Sequence, residues 1–172
     1  MSFQRRGIGE FATAFGSLAS YVRGDIEIIN DDVKSYAFSN VFDVAAHAAP
    51  YEKIVVAKNR QYVIETLRAE GTSDWFSASH DEFAIVMDGE VTFRFVKLED
   101  DQVPHHEGGA VRLGGEPNGP AMGRVTARRG HQVLLPRGAA YQLSATSPSV
   151  AFLQTRDGPE TVKRWSDICT LA

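Results

Sequence analysis

Six short runs rich in β-branched and aromatic residues, most of them closed by a turn, limit what this chain can fold into. They are "KIVVA" (53–57), "QYVIETL" (61–67), "EFAIVM" (82–87), "VTFRFV" (91–96), "QVLL" (132–135) and "VAFLQT" (150–155). Asp88-Gly89 and Pro136-Arg137-Gly138 punctuate them, because glycine frees the backbone and proline fixes it and removes a ladder donor. Many short strands with such punctuation predict an all-β sandwich or barrel. The chain's 172 residues suffice for one domain with a real core, not for two.

Composition excludes several partners. The hydrophobic share of 43% and charged share of 23% are those of an ordinary globular domain. A formal net charge of −4 offers no attraction to nucleic acid or to an anionic membrane surface. Cys169 is the single cysteine, so no internal disulfide can form, which suits a reducing cytosol. The start "MSFQRRGIGEF" lacks the apolar core of a signal peptide, and no run approaches a membrane span. A cytoplasmic protein is expected.

The chain divides into an arm (1–51), a barrel (52–157) and a tail (158–172). The arm holds Phe3, Phe11, Phe15, Tyr21, Tyr36, Phe38, Phe42 and Tyr51, eight of the seventeen aromatics. A helix over about 10–22 and a strand at "DIEII" (25–29) are the only regular elements expected there. Residues 99–123 carry six glycines and three prolines, so a long irregular surface loop is predicted inside the barrel. In the tail, Pro159 precedes Val162, Trp165 and Cys169 at helical spacing, which predicts a C-terminal helix.

Two spacings then carry chemistry. Glu82 is followed by six residues and Gly89; Gly130 is followed by five residues, Pro136-Arg-Gly138, two residues and Tyr141. This framework resembles the paired motifs of the cupins, small antiparallel jelly-roll barrels, most of which hold a metal inside. The resemblance covers about residues 70–155. It implies histidines before Glu82, yet those slots fall on Trp75 and Ser77, on Phe76 and Ala78, or on Ser77 and Ser79, depending on the spacing used. The second-motif histidine is Tyr141 and the closing asparagine is Ala145. Iron in such a site commonly takes two histidines and a carboxylate. Only Glu82 stands in its expected slot.

His80 lies two residues before Glu82, on the same face of an extended run. With Tyr141 it offers the alternative of a three-ligand metal site serving a lyase or isomerase. The other reading is that the three groups satisfy one another's hydrogen bonds in a barrel without a metal. Of the remaining histidines, His105 and His106 sit in the glycine-rich loop, His131 follows Gly130, and His47 lies in the arm. Cys169 reads as a small core residue. Ser79 and His80 face opposite ways and make no nucleophile–base pair.

A narrower resemblance extends along the whole chain. "GEFATAFGSLASYVRGDIEIINDDVKSYAFSNVFDV", "HDEFAIVMDGEVTFRFVKL" and "GRVTARRGHQVLLPRGAAYQL" are similar to the small subunit of two-subunit, iron-dependent hydroquinone 1,2-dioxygenases. The resemblance implies a hetero-oligomer, a heterotetramer, in which a larger cupin subunit binds Fe(II) and this chain binds none. It implies an oxidoreductase that opens hydroquinone with O₂ to 4-hydroxymuconic semialdehyde in bacterial breakdown of aromatic compounds. No catalytic residue is then expected in this chain. Trp75 and Phe76 at the barrel mouth, with Phe11, Phe15 and Tyr21 of the arm, are the residues expected to meet the substrate pocket or the partner. A cupin that only binds a small molecule is the remaining alternative.

Overall fold

The computed structural model describes residues 16–21 and 40–164. One short helix, α1 (Val41–Ala46), is followed by nine strands: β1 (Lys53–Asn59), β2 (Tyr62–Ser77), β3 (Glu82–Asp88), β4 (Glu90–Lys97), β5 (Val111–Arg112), β6 (Ala121–Arg128), β7 (Gln132–Leu135), β8 (Ala139–Arg156) and β9 (Thr161–Val162). The all-β expectation holds, and each of the six runs read from the sequence lies in a strand, except that Gln61 belongs to the turn before β2.

One sheet joins all nine, in the order β6-β4-β8-β2-β1-β9, with β3 pairing β8 and β7, and β5 pairing β2. The long β8 does most of the joining. Its first half, near Ala139–Ser144, pairs with β4, and its second half, near Val150–Gln154, pairs with β3. Along nearly its whole length it also pairs antiparallel with β2. Inward positions form the main core: Leu67, Ala84, Val86, Phe93, Leu143 and Leu153 are among its buried residues.

Local patterns show why each strand sits where it does. β3 alternates buried and exposed residues, as a strand with one covered face must. β1 instead begins with four consecutive buried residues, because a second layer covers its outer face. Val44 and Ala48 of the α1 region, with Val162, pack on Ile54 and Val56. Asn40 caps α1, its side-chain oxygen accepting from the Phe42 N–H at 3.0 Å. Between β3 and β4, Gly89 has φ +75°, and a Cβ there would lie 2.2 Å from Ser149 Oγ. Only glycine fits that turn.

Three expectations change. The helix expected from Pro159 onward is absent over the described tail. Thr161–Val162 instead pairs in parallel with Lys53–Ile54 of β1, and a sheet edge captures the segment before helical spacing can act. Trp165 and Cys169 lie outside the described residues. Residues 16–21, placed within a helix, form a tight turn in which Ser17 and Ser20 exchange backbone hydrogen bonds at 2.7 and 3.1 Å. "DIEII" falls outside the described residues. The 99–123 segment is largely irregular, but β5 ties it to Phe76 and Ser77, and Val103 and Ala110 are buried.

Candidate functional site

Lys53, Glu65, Glu82 and Tyr141 are all at most 4% exposed and project into the barrel interior. Strand alternation places them there. Lys53 is in phase with Val55, Glu65 with Val63 and Leu67, and Glu82 with Ala84 and Val86. The Tyr141 hydroxyl donates to Glu82 Oε2 at 2.7 Å, and Thr155 Oγ1 donates to Glu82 Oε1. Lys53 Nζ donates to the Tyr141 oxygen at 3.4 Å and lies 4.1 Å from the centre of the Phe76 ring. Burial, together with the charge and hydrogen bond of Glu82, holds the Tyr141 phenol protonated far above its ordinary range.

His80, just before β3, reaches only Thr155, with Nε2 3.3 Å from the hydroxyl oxygen. It does not bond to Glu82 directly, so the expected mutual pairing of His80, Glu82 and Tyr141 is replaced by one routed through Thr155. His80 Nδ1 is buried without a partner. Burial lowers the imidazole's pKa, against the pull of Glu82. His80→Asn, which disturbs one long hydrogen bond, should cost about 1 kcal/mol in a urea titration. In the two-subunit enzyme that the resemblance implies, activity should fall less than tenfold; a loss of several orders at unchanged stability would place His80 in the chemistry.

Glu65 is the second interior acid. Thr161 Oγ1 donates to its Oε1 at 2.6 Å, while Oε2 is buried without a partner. Burial pushes its carboxyl from 4.5 up to about 7, with Lys53 and the Thr161 hydroxyl pulling the other way. The folded chain therefore holds a proton that the unfolded chain releases. The stability this proton contributes is full below about pH 4.5 and is lost as pH rises to about 7. The loss is on the order of 2–3 kcal/mol. Glu65→Gln removes it, so the wild-type urea midpoint should drop between pH 5 and pH 8 while that of the variant changes much less.

The site opens on one side. A cleft of about 440 Å³ has Lys53 and Phe76 in its wall, with Tyr51, Ser73, Asp74 and Arg112. Trp75 points elsewhere: it is 5% exposed and packs with Val96, Leu98, Val103 and Ala140, its ring 5.4 Å from the Arg94 guanidinium. Tyr21 donates to Asp43 Oδ1 at 3.0 Å. Phe11 and Phe15 lie outside the described residues. Sequence reading passed over Thr155, Lys53 and Glu65, all of which lie in strands. Their signal was partial: each shares a strand face with buried apolar neighbours, Lys53 with Val55, Glu65 with Val63 and Leu67, and Thr155 with Leu153.

These residues do not fit an iron site. Among the described residues no three His, Cys, Asp or Glu side chains gather as a metal-binding group. Both oxygens of Glu82 accept hydrogen bonds, Tyr141 keeps its proton, and an ammonium stands beside the phenol. The chemistry this arrangement supports is packing and charge balance, not ligation.

No protein-family model and no curated protein matches the chain. Solved structures do. The hydroquinone 1,2-dioxygenase PnpCD, in complex with Cd²⁺ and 4-hydroxybenzonitrile, holds a chain 49% identical to this one, with a TM-score of 0.84. The match covers 96% of this chain and 99% of that one. Hydroquinone 1,2-dioxygenase from Sphingomonas sp. TTNP3, with 4-hydroxybenzoate bound, also matches at 49% identity and a TM-score of 0.86, over 94% and 99% of the two chains. A longer chain of PnpCD, from its complex with Fe³⁺, is 14% identical with a TM-score of 0.59, over 83% of this chain and 40% of that one. That likeness is one of fold, and it shows that PnpCD has two kinds of chain. Identity of 49% along almost the full length of both partners places this protein in the hydroquinone 1,2-dioxygenase family, in the line of its shorter subunit.

Proposed function

We propose that this chain is the iron-free subunit of a heteromeric, cytoplasmic enzyme that opens hydroquinone with O₂. The product is 4-hydroxymuconic semialdehyde, which keeps both oxygen atoms, and the setting is bacterial breakdown of aromatic compounds. The observation that carries the iron-free part is the fate of the ligand slots. Tyr141 and Ala145 occupy two of them, and both oxygens of Glu82 are already engaged by hydroxyl donors. Fe(II) in the larger chain supplies the centre at which a ring hydroxyl and O₂ meet.

This chain's contribution is to complete and dry the pocket. Trp75 and Phe76 belong to β2 at the barrel mouth, where β5 pairs beside them. Phe76 faces the cleft, and Trp75 is braced by the 99–123 segment through Val103 and Leu113. We place Phe76, with Phe11, Phe15 and Tyr21, at the contact with the partner or its pocket; Trp75, only 5% exposed, supports that end from within this barrel. Tyr62, Ile64, Phe83, Ile85 and Leu134 on β2, β3 and β7 are more than a third exposed, apolar surface of the kind a partner covers.

Purifying this chain alone, the larger chain alone and the two together tests the reading. O₂ uptake and hydroquinone loss should appear only with both chains, and iron should follow the larger one. Near-equimolar iron in the lone chain, lost on Glu82→Gln, would overturn it in favour of a self-sufficient cupin using His80, Glu82 and Tyr141.

A further inference from the structure

We propose that the Lys53 ammonium occupies, electrically, the place of the cation that this barrel does not hold. Glu82, the one ligand retained in its slot, and Tyr141, which stands in the slot of the second-motif histidine, meet each other at 2.7 Å, and Lys53 Nζ approaches the shared hydroxyl at 3.4 Å. The result is a relay from ammonium to phenol to carboxylate. Lys53 is the only basic side chain in the interior among the described residues. The other ion pairs lie on or near the surface and leave both Glu82 and Glu65 to this one cation.

A buried carboxylate without a nearby positive charge is costly, and a phenol donor offsets only part of that cost. A metal cupin meets this need with the ion itself. Here the need is met from β1, a strand that belongs to neither motif. The Phe76 ring supports the substitution: an ammonium 4.1 Å from its centre gains from the ring's electron-rich face while two of its N–H groups remain free of hydrogen bonds to described residues. The simpler view, that Lys53 serves Glu65 alone, predicts a different pattern of coupling.

The test uses the full-length chain in its assembled complex and compares thermal-unfolding midpoints in two double-mutant cycles. In the first, Lys53→Met should lower the midpoint by several degrees, and adding Glu82→Gln should recover at least half of that drop. In the second, Glu65→Gln should recover clearly less. If Lys53→Met prevents folding, the Lys53→Met/Glu82→Gln double variant should still fold. Additive effects of Lys53→Met and Glu82→Gln, full recovery by Glu65→Gln alone, or a double variant that also fails to fold would each overturn the proposal.

Discussion

A chain that begins at Asn40 should keep its own barrel and lose all ring-cleaving activity, because it no longer holds the larger subunit. The cut falls there for a structural reason. α1 belongs to the barrel: Phe42 and Ala45 are buried against Val150, and Val44 and Ala48 against Ile54. Leu18 and Tyr21, which the cut removes, only pack over the Phe42 cluster from outside, and their loss should cost stability without unfolding it. Cutting nearer Pro50 would strip part of the core and confuse assembly with stability. Six arm aromatics, Phe3, Phe11, Phe15, Tyr21, Tyr36 and Phe38, precede Asn40. Each buries about 150–250 Å² when packed. We assign that surface to an obligate interface, which buries more than about 2,000 Å², so its removal should abolish assembly instead of weakening it. Co-expression with the larger chain and size-exclusion chromatography read the outcome, with circular dichroism as the check that the short chain folds. Stoichiometric co-elution with full activity would assign residues 1–39 to this domain's own fold.

Tyr141→Ala should be among the most destabilising single changes in the barrel, at about 3–5 kcal/mol. Three losses coincide. The ring leaves a cavity beside Phe76, whose centre lies 6.0 Å away. Glu82 Oε2 loses its donor, and Lys53 loses its one hydrogen-bonded neighbour among the described residues. Tyr141→Phe separates these contributions. It keeps the packing and removes only the hydroxyl, so it should cost about 1–3 kcal/mol. Urea titration of both variants gives the comparison. Equal costs would mean that the hydroxyl relay, not ring packing, governs this end of the barrel.

The ligand positions illustrate how far residue spacing alone can go. The glycine and proline framework around Glu82 and Tyr141 is local backbone chemistry, so it is legible one segment at a time. Gly89 shows why: its φ of +75° and its contact with Ser149 admit no side chain. β6 was not legible, since seven of its eight residues are exposed and leave no apolar alternation. The first half of β8 was hidden in the same way by small and polar residues from Ala139 to Ser149. Their strand character comes from pairing with β4 and β2, which no local pattern records.

The tail makes the opposite point. Val162 carries a helical spacing with Trp165, yet Thr161–Val162 joins β1, because an available sheet edge outweighs a weak local preference. By itself, then, the sequence determined the six apolar strand segments, the turns at Gly89 and Pro136–Gly138 and the absence of histidine from the cupin ligand slots, because each is set by residue type at short range. Only the tertiary structure decided what surrounds Glu82. Lys53 and Glu65 come from the β1–β2 hairpin, and Thr155 and Tyr141 from β8, more than sixty residues further along the chain. Their charges and hydroxyls acquire meaning only when burial removes water and leaves them to one another.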